Sequence, residues 1–464
     1  MNFYADTVYR RMRVFNKNMQ NKSKQFTNSR KAALMILQRI ELDGAFSDIV
    51  INAFLQQEQF SDRDKAFIND LVRGTVRLKK RLDWIAGHFL NKPQKRLSDK
   101  TRFILRLAFY QVTEMQSVPA YAVVHQSVEM AKHYENRAAA SMINAVLRSY
   151  LRTPQKVTFP DIKYDPVRAI ALETSHPEWM VEKWINAFGR KQAQALCRAN
   201  NRRPDVCFRR NPVKISGEHF KHMLQQRGID FEALFLPDFF KLSSDFHHLQ
   251  APLKDGLLSI QDASAGMVAH VLAPQRKGRI VDLCAAPGGK STHMAELVQD
   301  QTTIIANDLQ RNRISLIRDA AQRLGLHSIQ LLLSDGRYPV VQQADAILLD
   351  APCSGHGVLA KRADLRWRRQ KHDIAELQTI QQNLIDTAAD MLNSGGTLVY
   401  STCTIEREEN EQIVSEFLQK HADFHVVAPE QPFLRAFTNR EGYIKTLQHK
   451  EDMDGSFCVK MTKS

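Results

Sequence analysis

Two cysteines stand where the chain could bond covalently to a substrate. Cys353 follows the apolar run 346–349 and lies in Asp-Ala-Pro-Cys-Ser-Gly-His-Gly, whereas Cys403 follows the run 398–400 and lies in Ser-Thr-Cys-Thr. A thiolate is a strong nucleophile, and its addition to a substrate can split one difficult reaction into two easier steps. A single cysteine after a strand is more often a small buried apolar residue. Two at one site favour covalent chemistry.

A turn of small residues follows an earlier apolar run, 280–283, and precedes a helical segment. It consists of Cys284, Ala285, Ala286, Pro287, Gly288, Gly289 and Lys290. Paired glycines let a ligand approach the backbone amides at a helix N-terminus. The spacing matches neither the dinucleotide-binding G-x-G-x-x-G pattern nor the P-loop. The pattern favours a ligand-binding turn, and a turn that is merely tight is the alternative.

Acidic residues follow the next three apolar runs. Asp308 ends the second predicted strand, where a carboxylate can accept hydrogen bonds from both ribose hydroxyls. Asp335 follows the third, where it can accept from an exocyclic amino group such as that of adenine. Asp350 ends the fourth. These ends should converge on one crevice shaped for a nucleotide-like ligand. Acids that only cap the following helices are the alternative.

Apolar runs and helical segments alternate from Gly278 to the end of the chain. Continuous apolar runs are typical of parallel strands buried on both faces, so we predict a doubly wound, Rossmann-like α/β fold. The runs are 280–283, 303–306, 329–333, 346–349 and 398–400. Segments 443–447 and 456–459 flank a turn and predict a hairpin added to the sheet edge.

Changes in hydrophobic spacing and in glycine and proline content divide the rest of the chain into predicted domains. Helical spacing with few glycines and prolines predicts an all-α domain, prolines then mark a linker, and a mixture of helical and strand patterns predicts a small α+β subdomain. The acid-poor N-terminal segment is typical of a disordered basic arm or a transit peptide. The predicted segments are 1–30 for the arm, 31–155 for the helical domain, 165–260 for the subdomain and 261–464 for the ligand-binding domain.

The composition limits the kinds of partner, compartment and cofactor that the protein can have. The 464 residues carry a formal net charge of +15, which favours a nucleic-acid partner, with solubility alone as the alternative. No run approaches the ~18 apolar residues that a membrane-spanning helix needs. The six cysteines include no C-x-x-C pair and no metal-ligand spacing. We expect a cytoplasmic monomer without metal or disulfides.

Two basic clusters could contact RNA. The segment 361–371 has six basic residues and Trp367, a combination that suits single-stranded RNA, although a solvated surface is the plainer interpretation. The second cluster could follow a phosphate backbone or form a solvated strand edge. It comprises Arg202, Arg203, Arg209 and Arg210.

Taken together, these motifs resemble those of the RNA cytosine-5 methyltransferases that use S-adenosylmethionine. The resemblance depends on Ala-Ala-Pro-Gly-Gly-Lys, Asp-Ala-Pro-Cys-Ser-Gly-x-Gly and Ser-Thr-Cys-Thr occurring in that order. Segments 64–67 and 71–77 resemble the helical RNA-binding domain of the antitermination factor NusB. With that domain, the chain is similar to the bacterial small-subunit (16S) ribosomal RNA branch, often called the Sun/Fmu family.

The resemblance implies a role for each candidate residue. The turn 284–290 would hold the methionine part and backbone of the cofactor, Asp308 its ribose and Asp335 its adenine. Asp350 would lie between the cofactor and the target base. Cys403 would be the nucleophile, and Cys353 would assist its release. Small-subunit ribosomal RNA would be the substrate.

The implied chemistry explains why two thiols are wanted. Carbon 5 of cytosine is a weak nucleophile, so a thiolate must first add to carbon 6. A DNA cytosine-5 methyltransferase would share this step, but its Pro-Cys-Gln and Glu-Asn-Val motifs are absent from the sequence. Two further alternatives are an RNA-binding assembly factor with a vestigial methyltransferase fold, in which Cys403 or the Gly288-Gly289 turn would be lost, and a protein methyltransferase, which would need neither cysteine.

Overall fold

A computed structural model describes residues 29–57, 60–91, 96–244, 246–339 and 341–464. Nearly all of the predicted basic arm, residues 1–28, lies outside the described residues. The described chain forms two compact units. Unit 1 contains the residues up to Asn201 together with Arg362–Arg368, and unit 2 contains Arg202–Lys361 and Arg369–Ser464.

Unit 1 is helical. Four of its helices begin at a side chain that accepts a hydrogen bond from the backbone of the first turn: Ser61, Ser98, Asn136 and Asp165. Among the described residues, no helix has both the length and the apolar character needed to cross a bilayer. The helices are α1 (Ser29–Leu42), α2 (Ser47–Gln57), α3 (Asp62–Gly87), α4 (Asp99–Glu114), α5 (Ala120–Tyr134), α6 (Arg137–Arg152), α7 (Pro166–Glu173), α8 (Glu178–Phe188) and α9 (Arg190–Ala199).

The core of α1 to α6 is made of the apolar stripes that the helical spacing predicts. Leu71, Phe103 and Phe109 are fully buried within it. Helices α7 to α9, which the sequence pattern grouped with the α+β subdomain, belong to unit 1, and Trp184 is buried there.

The basic segment after Cys353 is built differently from the prediction. Residues 362–368 belong to unit 1, and Arg366 is fully buried. Its guanidinium donates to the carbonyl oxygens of Ser175 and Asn200 at 3.2 and 3.1 Å. The Trp367 ring nitrogen donates to the Val76 carbonyl at 2.7 Å. The prediction that this segment contacts RNA is therefore wrong for Arg366, because internal partners already hold its guanidinium. For Trp367 it stays a prediction, because the hydrogen bond engages the ring nitrogen and not the ring face.

Unit 2 begins with a small antiparallel sheet. Its strands lie in the order β2-β3-β1-β4. Phe208, Phe220 and Phe240 form the centre of its core. Arg209, which follows Phe208 on β1 and points to the other face, is buried as well. The elements are β1 (Cys207–Arg210), α10 (Gly217–Gln226), β2 (Phe231–Ala233), β3 (Phe239–Leu242), α11 (Gln250–Lys254) and β4 (Leu258–Ile260).

A larger sheet with helices follows, and it confirms the predicted doubly wound fold. Its main path is β10-β12-β9-β8-β5-β6-β7, in which β7, β6, β5, β8 and β9 are mutually parallel. The elements are α12 (Ala263–Leu272), β5 (Arg279–Asp282), α13 (Gly289–Leu297), β6 (Thr303–Asp308), α14 (Arg311–Leu324), β7 (Ile329–Leu333), β8 (Ala344–Asp350), α15 (Asp373–Met391), β9 (Leu392–Thr402), α16 (Glu411–Lys420), β10 (Phe424–Val426), β11 (Ile444–Thr446), α17 (Gln448–Glu451) and β12 (Ser456–Lys463).

The C-terminal hairpin forms, but its position differs from the prediction. Strands β11 and β12 pair antiparallel, with Ile444 opposite Cys458. However, β12 is not at the sheet edge, because it lies between β9 and β10. The short strand β10 has only three residues, too few to give a recognisable alternation in the sequence.

We predict that Arg366→Met destabilises unit 1 by about 3 kcal/mol, because buried carbonyl oxygens lose a charged donor. Thermal unfolding followed by circular dichroism measures this change, and the exposed Arg362→Met is the control from the same segment. Unchanged stability combined with weaker RNA binding would instead support the original expectation of an RNA contact.

Candidate active site

The crevice lies at the carboxyl ends of β5, β6 and β7. The Leu283 amide donates to the Leu348 carbonyl at 2.9 Å, which continues the pairing of β5 with β8 beyond the strand. The Asn307 side chain donates to the carbonyl oxygens of Leu283 and Ser334 at 3.1 and 3.2 Å. Asn307 thus ties three strand ends together. The sequence analysis assigned no role to Asn307.

The predicted turn 284–290 joins β5 to α13. Gly288 has φ +99°, and a Cβ atom there would lie 3.2 Å from Cα of Ile317, so both the backbone and the space require glycine. Ala285 and Ala286 are buried in a small cluster with Ile317. Burial raises the pKa of the Cys284 thiol, so this cysteine is an inert part of the turn.

The carboxylate of Asp308 organises the same turn. It is almost fully buried, and it accepts hydrogen bonds from the amides of Ala286 at 3.2 Å and Gln310 at 3.0 Å. The residue at the start of α14 is Gln310, so Asp308 is not the helix cap that the plainer alternative required. Arg313 lies 3.5 Å from the carboxylate and also donates to the Ala286 carbonyl.

Asp335 lies at the end of β7 and is partly exposed. Hydrogen bonds from the Arg337 guanidinium, the shortest at 2.6 Å, hold the pKa of its carboxyl below the ordinary value. The group therefore stays an acceptor at neutral pH.

An ion pair connects the turn to the fourth strand. The Lys290 ammonium lies 2.6 Å from the Asp350 carboxylate, which also accepts from the Ser401 hydroxyl at 2.9 Å. Burial alone would lower the pKa of Lys290, but Asp350 outweighs it, with smaller contributions from Cys403 and Asp282, and the pKa is raised. A permanent positive charge is therefore present close to the Cys403 sulfur.

The side chains of Cys353 and Cys403, the two candidate catalytic cysteines, are in contact. The sulfur atoms of Cys353 and Cys403 are 3.3 Å apart. The hydrogen bond with Cys403 is the largest cause of the raised pKa of Cys353, and burial is the second. Cys353 therefore keeps its proton and can donate it towards Cys403. The pair consists of one thiol and one sulfur that accepts from it.

A set of polar side chains that the sequence analysis missed holds the cysteine loops. The Glu409 carboxylate accepts from the Ser354 amide at 2.8 Å and from the Gln381 side chain at 3.1 Å. Arg369 donates to the carbonyl oxygens of Cys353 and Ser354, both at 3.1 Å. Glu409 lies in the acidic run 406–411, which gave no signal of burial.

Two further basic residues of the segment 361–371 also have protein partners, whereas Arg362 and Lys371 are exposed. Lys361 lies 2.5 Å from Asp262 and 2.7 Å from Asp454, and Arg369 holds the Cys353 loop. Within the described ranges, no three His, Cys, Asp or Glu side chains form a group that could hold a metal ion.

The fold and the site first define a class. A doubly wound sheet with polar groups at adjacent strand ends is typical of nucleotide-binding α/β proteins. Family models match residues 269–462 as 16S rRNA methyltransferase RsmB/F, residues 27–152 as the NusB family, and residues 176–247 as an RsmF/B-like ferredoxin-like domain. The chain belongs to the RsmB/F family of 16S rRNA methyltransferases, which confirms the predicted enzyme class and family.

Individual relatives agree with this assignment. The probable ribosomal RNA small subunit methyltransferase B of Bacillus subtilis is 36% identical, covering 94% of this chain and 99% of that protein. The ribosomal RNA small subunit methyltransferase B of Citrobacter koseri is 32% identical, covering 88% and 92%. The structure of a methyltransferase homolog protein from Pyrococcus horikoshii has a TM-score of 0.57 at 26% identity, covering 64% and 99%.

We predict that Lys290→Met slows the alkylation of Cys403 by iodoacetamide at neutral pH by about ten-fold, because a thiolate near a positive charge is favoured. Lys290→Arg keeps the charge and serves as the matched control. Peptide mass mapping separates Cys403 from the other five cysteines. Equal rates in wild type and both variants would show that Lys290 does not govern the reactivity of Cys403.

Proposed function

We propose that this chain transfers a methyl group from S-adenosylmethionine to carbon 5 of a cytosine in 16S ribosomal RNA, through a covalent adduct of Cys403 at carbon 6. The observation that carries the proposal is the pair of cysteine sulfurs 3.3 Å apart, beside the Lys290–Asp350 ion pair. Methyl transfer to an oxygen or to an exocyclic nitrogen would need no such pair of thiols.

The residues of the crevice fit S-adenosylmethionine. When bound, the cofactor supplies an electrophilic methyl group on a sulfonium. The turn 284–290 offers backbone amides and a glycine corner to its methionine part. Asp308 and Asp335 are acceptors at adjacent strand ends, suited to ribose hydroxyls and to the adenine amino group respectively.

The reaction begins at Cys403. Its thiolate adds to carbon 6 of the base, the double bond between carbons 5 and 6 is lost, and carbon 5 gains enamine character. Asp350 accepts a hydrogen bond from the exocyclic amino group of cytosine, which uracil lacks. Lys290 stabilises charge at the same place, since its ammonium contacts Asp350 in a buried setting.

The reaction ends at Cys353. Once carbon 5 carries the methyl group, its proton must leave, and the bond between the Cys403 sulfur and carbon 6 must break so that the double bond returns. Cys353 is close enough to accept or deliver a proton at this step, because its sulfur contacts that of Cys403. The target cytosine must be unstacked to reach the sulfur, so an unpaired region is the expected substrate.

The rest of the chain serves RNA binding in this proposal. We assign RNA binding to the predicted helical domain 31–155, most of which the NusB match covers, and methyl transfer to the predicted segment 261–464. Of the predicted subdomain 165–260, only the part from Arg202 onward lies in unit 2. We further propose that the enzyme acts in the cytoplasm, where ribosomal RNA is found, and that it acts as a monomer.

The direct test is transfer of labelled methyl from S-adenosylmethionine to unmodified 16S rRNA, followed by digestion to nucleosides. We expect label in 5-methylcytidine, and no transfer by Cys403→Ala, because the adding sulfur is gone. Cofactor affinity by calorimetry should stay within about two-fold in this variant. Cys207→Ala is the matched control and should transfer normally. Label in another nucleoside, or turnover by Cys403→Ala, contradicts the proposal.

Cys353→Ala should behave differently from Cys403→Ala. Because addition does not need Cys353 but release does, we expect a covalent complex of protein and RNA to accumulate. Denaturing gel electrophoresis with labelled RNA detects it as a slowly migrating band. The double variant lacking both thiols should show no band. A clean gel for Cys353→Ala would remove the proposed role in release.

A further inference from the structure

Arg209 is a charged residue in the interior of unit 2. It lies on β1 of the small sheet and is 1% exposed. The sequence analysis gave it two interpretations, a phosphate contact or a solvated strand edge, and burial excludes both. A buried guanidinium requires partners for its five N–H groups, so those partners show what the residue does.

The partners of Arg209 lie on the helix that carries the cofactor turn. Its Nε donates to Glu296 at 2.7 Å, and one terminal nitrogen donates to Glu296 at 3.1 Å and to the Thr292 hydroxyl at 2.9 Å. The other terminal nitrogen donates to Gln261 at 2.6 Å and to the Gly289 carbonyl at 3.3 Å. All five N–H groups are therefore used, four of them on α13.

Two of these partners, Gln261 and Thr292, also form hydrogen bonds with the carbonyl groups of Gly288 and Gly289. The Gln261 amide also donates to the Gly289 carbonyl at 3.3 Å, and the Thr292 hydroxyl donates to the Gly288 carbonyl at 2.8 Å. Because Gly288 lies at the turn and Gly289 begins α13, these bonds fix the first turn of the helix from behind. Lys290, the next residue, then contacts Asp350 on the opposite side.

We propose that Arg209 is a positioning residue for methyl transfer: it holds the Gly288–Lys290 turn in the geometry that binds the cofactor. The inference rests on the proposed cofactor role of this turn. Arg209 does not touch the crevice side of the turn, and its effect passes through Gly289, Gln261 and Thr292. An ion pair with Glu296 alone would not require the contact with a turn carbonyl.

Arg210 provides a matched control on the same strand. Its guanidinium pairs with Asp238 at 2.7 and 2.8 Å and also donates to the Ile215 carbonyl. These partners belong to the small sheet region and not to α13. A change at Arg210 therefore perturbs the same strand without releasing the turn.

The experiment compares Arg209→Lys, Arg210→Lys and a double variant, Arg209→Met with Glu296→Met. The double variant removes the buried charge on both sides, which proteins generally tolerate, so it keeps the test valid if a single change fails to fold. Calorimetry with S-adenosylmethionine, thermal unfolding, and the KM values for cofactor and 16S rRNA are measured for each.

We expect the double variant to melt close to wild type but to bind the cofactor about ten-fold more weakly, because the turn is no longer fixed. Arg209→Lys should also bind it more weakly, since one ammonium cannot reach all the partners. The KM for rRNA should stay within about two-fold, and Arg210→Lys should bind normally.

Cofactor affinity equal to wild type in the folded double variant would overturn the inference and leave Arg209–Glu296 as a structural ion pair only. If wild type itself fails to bind S-adenosylmethionine, both the inference and the proposed function are overturned. Normal wild-type binding and transfer with unaffected Arg209 variants would overturn the inference alone.

Discussion

The parallel pairing of β5 with β6 and β8 is the constraint on which the site depends. Parallel strands point their carboxyl ends to one edge of a sheet, so the residues that follow them must share that edge. The pairing of β8 with β9 places Asp350 opposite Ser401. Cys353 comes three residues after Asp350, and Cys403 comes two residues after Ser401. The register of β8 and β9 therefore brings the two sulfur atoms to the same edge of the sheet, next to each other.

Two ion pairs then fix the position of the turn 284–290, which the sheet only brings close to the other strand ends. Arg209–Glu296 is fully buried and Lys290–Asp350 is partly buried, and the cost of removing water from such pairs offsets much of their attraction. Such pairs therefore add little to the free energy of unfolding. They do restrain the geometry, because moving either charge away from its partner would leave an unpaired charge in the protein interior. One pair holds the crevice side of the turn, and the other holds its far side.

The sequence predicted the features that depend on local pattern. Continuous apolar runs predicted the parallel strands, and the residues after them predicted the meeting of Cys353 with Cys403. It could not predict features that depend on distant packing. Arg366 and Glu409 sit in charged runs that look solvated, yet both are buried, because their partners come from segments far along the chain.

The closeness of the two sulfurs has a consequence for the order of the proposed reaction. Two negative charges at 3.3 Å repel, so the pair carries its charge on one sulfur, and the other keeps its proton. This hydrogen bond is the largest cause of the raised pKa of Cys353. When Cys403 bonds to carbon 6, its sulfur no longer carries a charge, and that cause disappears. The pKa of the Cys353 thiol then falls, so in the proposed reaction its proton passes to water, and the resulting thiolate can accept the proton on carbon 5. Formation of the Cys403 adduct thus prepares Cys353 for the step that releases the adduct.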